Sequence, residues 1–173
     1  MVWQIDKSHS EVGFSVRHMM ISNVRGRFTD FDAEVSIDPT ALTQSKVSAK
    51  IAAQSIDTGE PKRDGHLRSA DFLDAENSPY IQFQSKRVSQ SGNDLTVVGD
   101  LTVRGTTREV TLKGEYEGPS KDPWGNQRLG FSLAGEIDRE DFGLTWNQAL
   151  ETGGVLVAKK VKLQLEIQVT SQG

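Results

Sequence analysis

A chain of 173 residues has the length of one domain. With 20 Lys and Arg against 24 Asp and Glu it lacks the basic stripe that a nucleic-acid partner requires, and with no cysteine it excludes disulfides, thiolate catalysis and cysteine-ligated metals. Hydrophobic residues reach only 35%, low for a tightly filled core, and 16 glycines among many Thr, Ser and Val favour strands and turns over helices.

Trp3 to Asp6 reads as a short strand, interrupted by Ser8-His9-Ser10. The opening residues carry neither the basic nor the apolar region of a secretory leader, and no stretch reads as a membrane span. The expectation is a cytoplasmic protein without stable membrane insertion, the periplasm being the alternative if a leader was removed. Glu11 to His18 alternates, with Val12, Phe14, Val16 and His18 on one face. Met19 to Asn23 has no period of two and reads as one helical turn. Val24 to Asp38 is a long strand with Phe31, Ala33, Val35 and Ile37 in phase, and the out-of-phase Phe28 predicts a bulge near Thr29 and Asp30. Lys46 to Ser55 places Val47, Ala49, Ile51 and Ala53 on one side.

Between Gly59 and Pro79 the strand pattern stops. Lys62 to Ser69 is the best helix candidate, started by Pro61, with Leu67, Ala70 and Phe72 to anchor the segment over one opening of a barrel. Tyr80 to Val88 returns to strand. Asn93 to Glu117 forms a long antiparallel hairpin: Leu95, Val97, Gly99, Leu101 and Val103 alternate with polar residues, Arg104 to Thr107 turns, and Val110, Leu112, Gly114 and Tyr116 resume. Gly118 to Asn126 is rich in turn residues, Arg128 to Asp138 alternates, Arg139 to Gly154 is irregular, and Val155 to Val169 closes the chain.

About eight long strands, each apolar on one face, predict an all-β, single-domain, eight-stranded antiparallel barrel. A barrel of that size either fills its interior or holds one ligand. Ala33, Ala49, Ala53, Gly99, Gly114 and Gly135 all fall in the inward phase, so the expectation is space along the axis. Empty apolar space costs about 24 cal/mol per Å³, which an apolar occupant relieves. The competing expectation is that Phe14, Phe31, Phe83, Phe131 and the tryptophans fill the gaps.

Chemistry-bearing residues are few. His9, His18 and His66 have no metal-binding spacing, so no metal is expected; no cofactor or catalytic residue is expected either, because no nucleophile motif or phosphate-binding glycine loop occurs. Asp138-Arg139-Glu140-Asp141 reads as a solvated turn. His18 ends the inward row Val12, Phe14, Val16 and is a candidate polar group at the mouth of an apolar pocket. Arg17, Arg25 and Arg27 are either surface charge or holders of an acidic head group at the rim.

Trp3-Gln4-Ile5-Asp6-Lys7-Ser8-His9-Ser10 with Val12 to His18, and Val24-Arg25-Gly26-Arg27-Phe28, resemble the opening of the YceI-like proteins. Asp64 to Phe72 followed by Pro79 to Phe83, then Gly99 to Thr107 and Ile137 to Gly143, resemble the family's later motifs, in the right order over nearly the whole chain. The resemblance implies a lipocalin-like barrel with an apolar tunnel for polyisoprenoids, such as isoprenoid quinones or polyprenyl phosphates, or other long-chain amphiphiles. It carries ligand contact to Phe14, Val16, Phe31, Ile51, Phe83, Leu101, Phe131 and Leu163; His18, Arg25 and His66 are candidates from position alone. The function expected is non-catalytic binding, storage or transport of such a lipid, with homodimer formation left open. The alternatives are an enzyme acting on an isoprenoid through His18 or His66 as acid/base, or a packed barrel serving as a protein-interaction module.

Overall fold

The period-two segments form strands at nearly the expected places. In the computed structural model, which describes residues 2–150 and 155–172, the strand segments are β1 Gln4–Ile5, β2 Glu11–His18, β3 Ser22–Phe28, β4 Phe31–Ser36, β5 Lys46–Ala52, β6 Ile56–Asp57, β7 Tyr80–Ser91, β8 Asp94–Val103, β9 Thr106–Lys121, β10 Asn126–Asp138 and β11 Val157–Gln172. One α-helix, α1, spans Pro61–Arg68.

Eleven segments and eight expected strands are compatible, because three long strands are each broken once. A 3-10 turn at Lys7–His9 separates β1 from β2, and Ala53–Ser55 separates β5 from β6. Thr29 and Asp30 separate β3 from β4, at the bulge that the phase change of Phe28 predicts. All pairings are antiparallel, in the order β4-β5-β7-β8-β9-β10-β11-β2-β3-β6, with β1 also on β11. Because β4 continues β3, this curled sheet returns on itself. One seam stays unzipped. β4 pairs with β5 on one edge, and no backbone hydrogen bond joins its other edge to the adjacent β1 among the described residues. The Lys7–Asp32 ion pair (3.6 Å) spans that seam.

Two expectations about local structure are corrected. Met19 to Asn23 is not a helical turn. Val16↔Val24 through His18↔Ser22 pair as a ladder, and the Ile21 amide donates to the His18 carbonyl around Met19 and Met20 at φ 53° and 64°. Nor is 118–126 all loop, since β9 runs on to Lys121 and only 122–125 turn. Asp122 makes this turn by accepting from the Trp124 and Asn126 amides, both at 2.9 Å. Of the 139–154 stretch, residues 139–142 form a 3-10 turn, and 151–154 lie outside the described residues.

Side chains on the outer wall, such as Lys160, Lys162, Gln164 and Glu166, are polar or charged, so this wall faces water. No described helix is long and apolar enough to cross a membrane. Arg128 ties the N-terminal segment to the β9–β10 turn through Asp6 at 2.8 Å and Asp122 at 2.9 Å.

Candidate functional site

The inward phase lines a continuous cavity of about 320 Å³ with an apolar exposed wall. Many of its residues are inward yet only half-buried, among them Phe14, Val16, Val35, Val47, Phe83, Leu133, Leu163 and Leu165, whereas Leu95, Val97 and Leu112 on β8 and β9 are buried. Inward residues that stay half-buried face the hollow, not the bulk solvent. On β11 the wall runs from Val157 to Val169. At about 3.3 Å per residue that is roughly 40 Å of strand, or about 30 Å along the axis after tilting.

One end is closed by α1 and the segments that follow it and β10. The helix is scarcely amphipathic; its place is fixed by polar contacts. Glu60 caps it by accepting from the Arg63 amide at 2.6 Å. Buried Asp64 accepts from the Thr58 amide at 2.9 Å and from the Thr58 hydroxyl. Arg68 reaches the Gln54 and Ile56 carbonyls at 2.8 and 3.1 Å. Leu67, Phe72 and Leu73 are thereby set against the cavity beside Phe142 and Leu144. The expected anchor Ala70 is instead exposed, and Ala75 is the buried alanine.

The same end contains Arg139, 4% exposed and part of the cavity wall. Its guanidinium donates to the carbonyls of Leu144 (2.6 Å), Trp146 (2.9 Å), Ala158 (2.9 Å) and Val157 (3.2 Å). Burial pushes its pKa down, opposed by the charges of Glu140 and Asp138. A solvated turn is therefore the wrong description of Arg139. Its phase held the signal, since Leu129, Phe131, Leu133, Gly135, Ile137 and Arg139 form one unbroken inward row.

The opposite end is closed by Trp3, Leu129 and Val169, with Val35, Ile37, Tyr116, Phe131 and Ile167 against them. The interior side-chain atoms without a hydrogen-bond partner among the described residues, Trp3 Nε1, Ser45 Oγ and Ser171 Oγ, all belong to this end. Ser45 also borders the cavity.

The structure brings Phe14, Val16, Phe31, Ile51, Phe83, Leu101, Phe131 and Leu163 together on the cavity wall. His18, Arg25 and His66 are not on it. His18 lies one step beyond Val16, at the hairpin end where it pairs with Ser22. Arg25 is opposite Ser15 and out of phase with Val24, so it stands on the outer face. The His66 ring is wedged edge-on against Trp146 (4.6 Å) and Phe72 (5.1 Å), with Nε2 at 2.9 Å from Asp71. Among the described residues no group of three or more His, Asp or Glu could hold a metal.

The source of the space also needs correcting. Ala33 and Ala49 border the cavity, but Gly99, Gly114 and Gly135 do not. A Cβ on Gly99 would lie 2.5 Å from Phe83 Cζ, and one on Gly135 would lie 2.8 Å from Leu112 Cδ2. These glycines are sites of close approach, where a neighbour occupies the room that the side chain vacates. Gly26 does the same for Phe14, whose Cζ would be 2.4 Å from an added Cβ.

Residues 3–169 match the profile of the YceI-like domain. A UPF0312 protein of Staphylococcus epidermidis is 42% identical over 163 residues, covering 94% of this chain and 93% of that protein. Among solved structures, the YCEI protein of Campylobacter jejuni superposes with a TM-score of 0.78 at 30% identity, over 97% of this chain and 96% of its own. A polyisoprenoid binding domain from Saccharophagus degradans shares the fold, with a TM-score of 0.70 at 13% identity over 98% of both chains.

Proposed function

The chain belongs to the YceI-like family, and from that premise we propose that it binds, stores or carries a polyisoprenoid or a comparable long-chain lipid without chemically changing it. The observation that carries this reading is the continuous apolar cavity, bordered by inward side chains of which many are only half-buried. Its volume of about 320 Å³ falls within the range of small-ligand pockets, about 300–1,000 Å³. The long β11 wall favours an extended chain over a compact molecule. The polyisoprenoid binding domain of Saccharophagus degradans, which has the same fold, adds support for the ligand class.

The histidines support a binder over an enzyme. A general acid or base has to come within hydrogen-bond reach of the reacting group, and His9, His18 and His66 all lie off the cavity wall. For the ligand's polar group, the unpaired Ser45 hydroxyl on the wall favours the β1 end over the rim near His18.

Native mass spectrometry of the protein purified from cells, followed by solvent extraction, tests the reading. The expected result is a co-purified apolar chain that returns unchanged after incubation. A protein that neither contains nor takes up any lipid overturns it, and turnover of the chain replaces it with the enzyme reading. Ser45→Ala is expected to narrow the preference for geranylgeraniol over its parent hydrocarbon; an unchanged ratio removes Ser45 from head-group recognition.

A further inference from the structure

The tip of the β2–β3 hairpin is apolar and exposed. Met19 is 44% exposed, Met20 50% and Ile21 77%, with Val155 beside them at 37%. The Met19 amide donates to the Leu156 carbonyl at 2.8 Å, which holds the tip against the start of the last strand. Arg17 clamps it from the other side, with Nε and Nη2 donating to the Met20 carbonyl at 3.2 and 3.1 Å. The prong is therefore fixed in shape while its side chains face outward.

Its backbone is poorly suited to its residues. Met19 and Met20 both have positive φ, as the central pair of a type I′ turn does, and that pair is ordinarily Asn-Gly. Two long apolar side chains at the least favourable positions of the hairpin do nothing for the core. A conformation held against preference at an exposed site points to a role outside the fold.

The flanks suggest the partner. The outer faces of β2, β3 and the start of β11 carry Arg17, Arg25, Arg27, Lys159, Lys160 and Lys162. Carboxylates answer three of these: Asp57 for Arg27, Glu140 for Lys159 and Glu136 for Lys160. Arg17, Arg25 and Lys162 have none within salt-bridge distance among the described residues. The carboxylates of these same faces, Glu11 and Glu166, are cross-strand partners at the far end of the wall, away from the tip. Arg25 and Lys162 both lie level with Ser15, about 10–13 Å from the tip along the strand. With the tip sunk about 5–10 Å into the interface, these cations come within about a Debye length of an anionic lipid surface and feel its attraction.

We propose that the Met19-Met20-Ile21 tip is a membrane-docking prong, which inserts into the interface of an anionic bilayer while Arg17, Arg25 and Lys162 meet its head groups. Interfacial binding of this kind grows with apolar area and with attraction to anionic lipid. The proposal goes beyond the lipid-carrier reading and stands without it, because docking needs no occupant in the cavity.

The test is co-flotation of delipidated protein with phosphatidylcholine vesicles, with and without phosphatidylglycerol. The protein is expected to float with phosphatidylglycerol vesicles and at least tenfold less with phosphatidylcholine alone. The variant Met19→Asn, Met20→Gly, Ile21→Ser supplies the preferred turn pair, so its melting temperature should hold or rise while flotation falls at least tenfold. Arg25→Gln with Lys162→Gln should remove most of the preference for phosphatidylglycerol. Trp124, 79% exposed at the opposite end, provides the control, and Trp124→Ala should float as wild type does. Unchanged flotation of the tip variant overturns the proposal, as does loss confined to Trp124→Ala. Concentration-dependent dimerisation that follows the tip, without flotation, assigns the surface to a second copy instead. Loss of lipid uptake into the cavity with flotation intact refutes the carrier reading alone.

Discussion

Ala49 offers a test of the hollow interior in which the sign of the effect decides. It pairs with Ala33 on one side and Phe83 on the other, borders the cavity, and is only half-buried although it points inward. Ala49→Leu adds three carbons to a space that holds no protein atoms. At about 0.8 kcal/mol per buried methylene, the empty protein should gain about 2 kcal/mol. At about 24 cal/mol per Å³, the same figure corresponds to about 80 Å³, a quarter of the cavity of about 320 Å³. For a domain of this size the melting temperature should rise by roughly 4–8 °C. A long-chain ligand should meanwhile lose at least about 1.4 kcal/mol, a factor of ten in affinity. The assay is thermal and urea unfolding of delipidated protein, paired with displacement of a fluorescent polyene lipid. In a filled core the same three carbons would cost about 1–3 kcal/mol through overpacking. A lower melting temperature with unchanged lipid affinity would therefore refute the hollow-barrel argument.

Other substitutions probe the wall, the frame and the N-terminal clasp. Phe131→Trp should obstruct the cavity and weaken lipid displacement, at a stability cost of about 1–3 kcal/mol with the fold retained; circular dichroism and displacement together check this. Gly114→Ala should cost more than about 3 kcal/mol in urea unfolding, because backbone must move: the added Cβ would lie 1.7 Å from the Ser132 carbonyl oxygen. The Arg128 guanidinium, with hydrogen bonds from Ser8 and His9, holds the Asp6 carboxyl well below the usual carboxylate range. A depressed native pKa contributes stability that is present above the unfolded value near 3.8 and is lost as pH falls through the native value. Asp6→Asn should thus cost about 1.5–3 kcal/mol at pH 7 and progressively less in acid below that value; a penalty independent of pH would contradict the ion-pair account.

Period-two reading located the wall because a strand exposes its pairing face in the sequence itself. Leu95, Val97, Leu101 and Val103 are all inward and buried, as their alternation requires. Phe28 revealed the β3–β4 break for the same reason. The glycines misled because a missing side chain has two readings, a void or a neighbour's seat, and alternation does not distinguish them. Only the cross-strand register does, with Phe83 diagonal to Gly99 and Phe14 directly opposite Gly26. Met19 and Met20 misled because they carry no turn chemistry, and the turn is imposed by the flanking ladder. His18 continues the inward row to the last rung, opposite Val157, yet does not itself border the cavity. Arg139 is hard to read for the opposite reason, because its charge conceals its membership of the inward row.

The unzipped edge between β1 and β4 changes how the barrel can be regarded mechanically. A fully laced ring of fixed strand number has a fixed girth, so its bore is set before any guest arrives. Here one longitudinal joint is held by side chains and by the Lys7–Asp32 pair instead of a ladder. The other half of the joint is laced by the β2–β3 ladder, so only the β1–β4 half can widen without breaking a strand-to-strand hydrogen bond, as a collar split part-way opens at one end. Girth at the β1 end then becomes a variable that the guest sets, at the cost of a surface ion pair, about 0–1 kcal/mol, and of the apolar contacts of Val35 and Ile37 with the Trp3 cluster. Hydrogen exchange should register this as faster amide turnover on the β1-facing edge of β4 than on its β5-facing edge; equal protection on both edges would mean that the collar is shut.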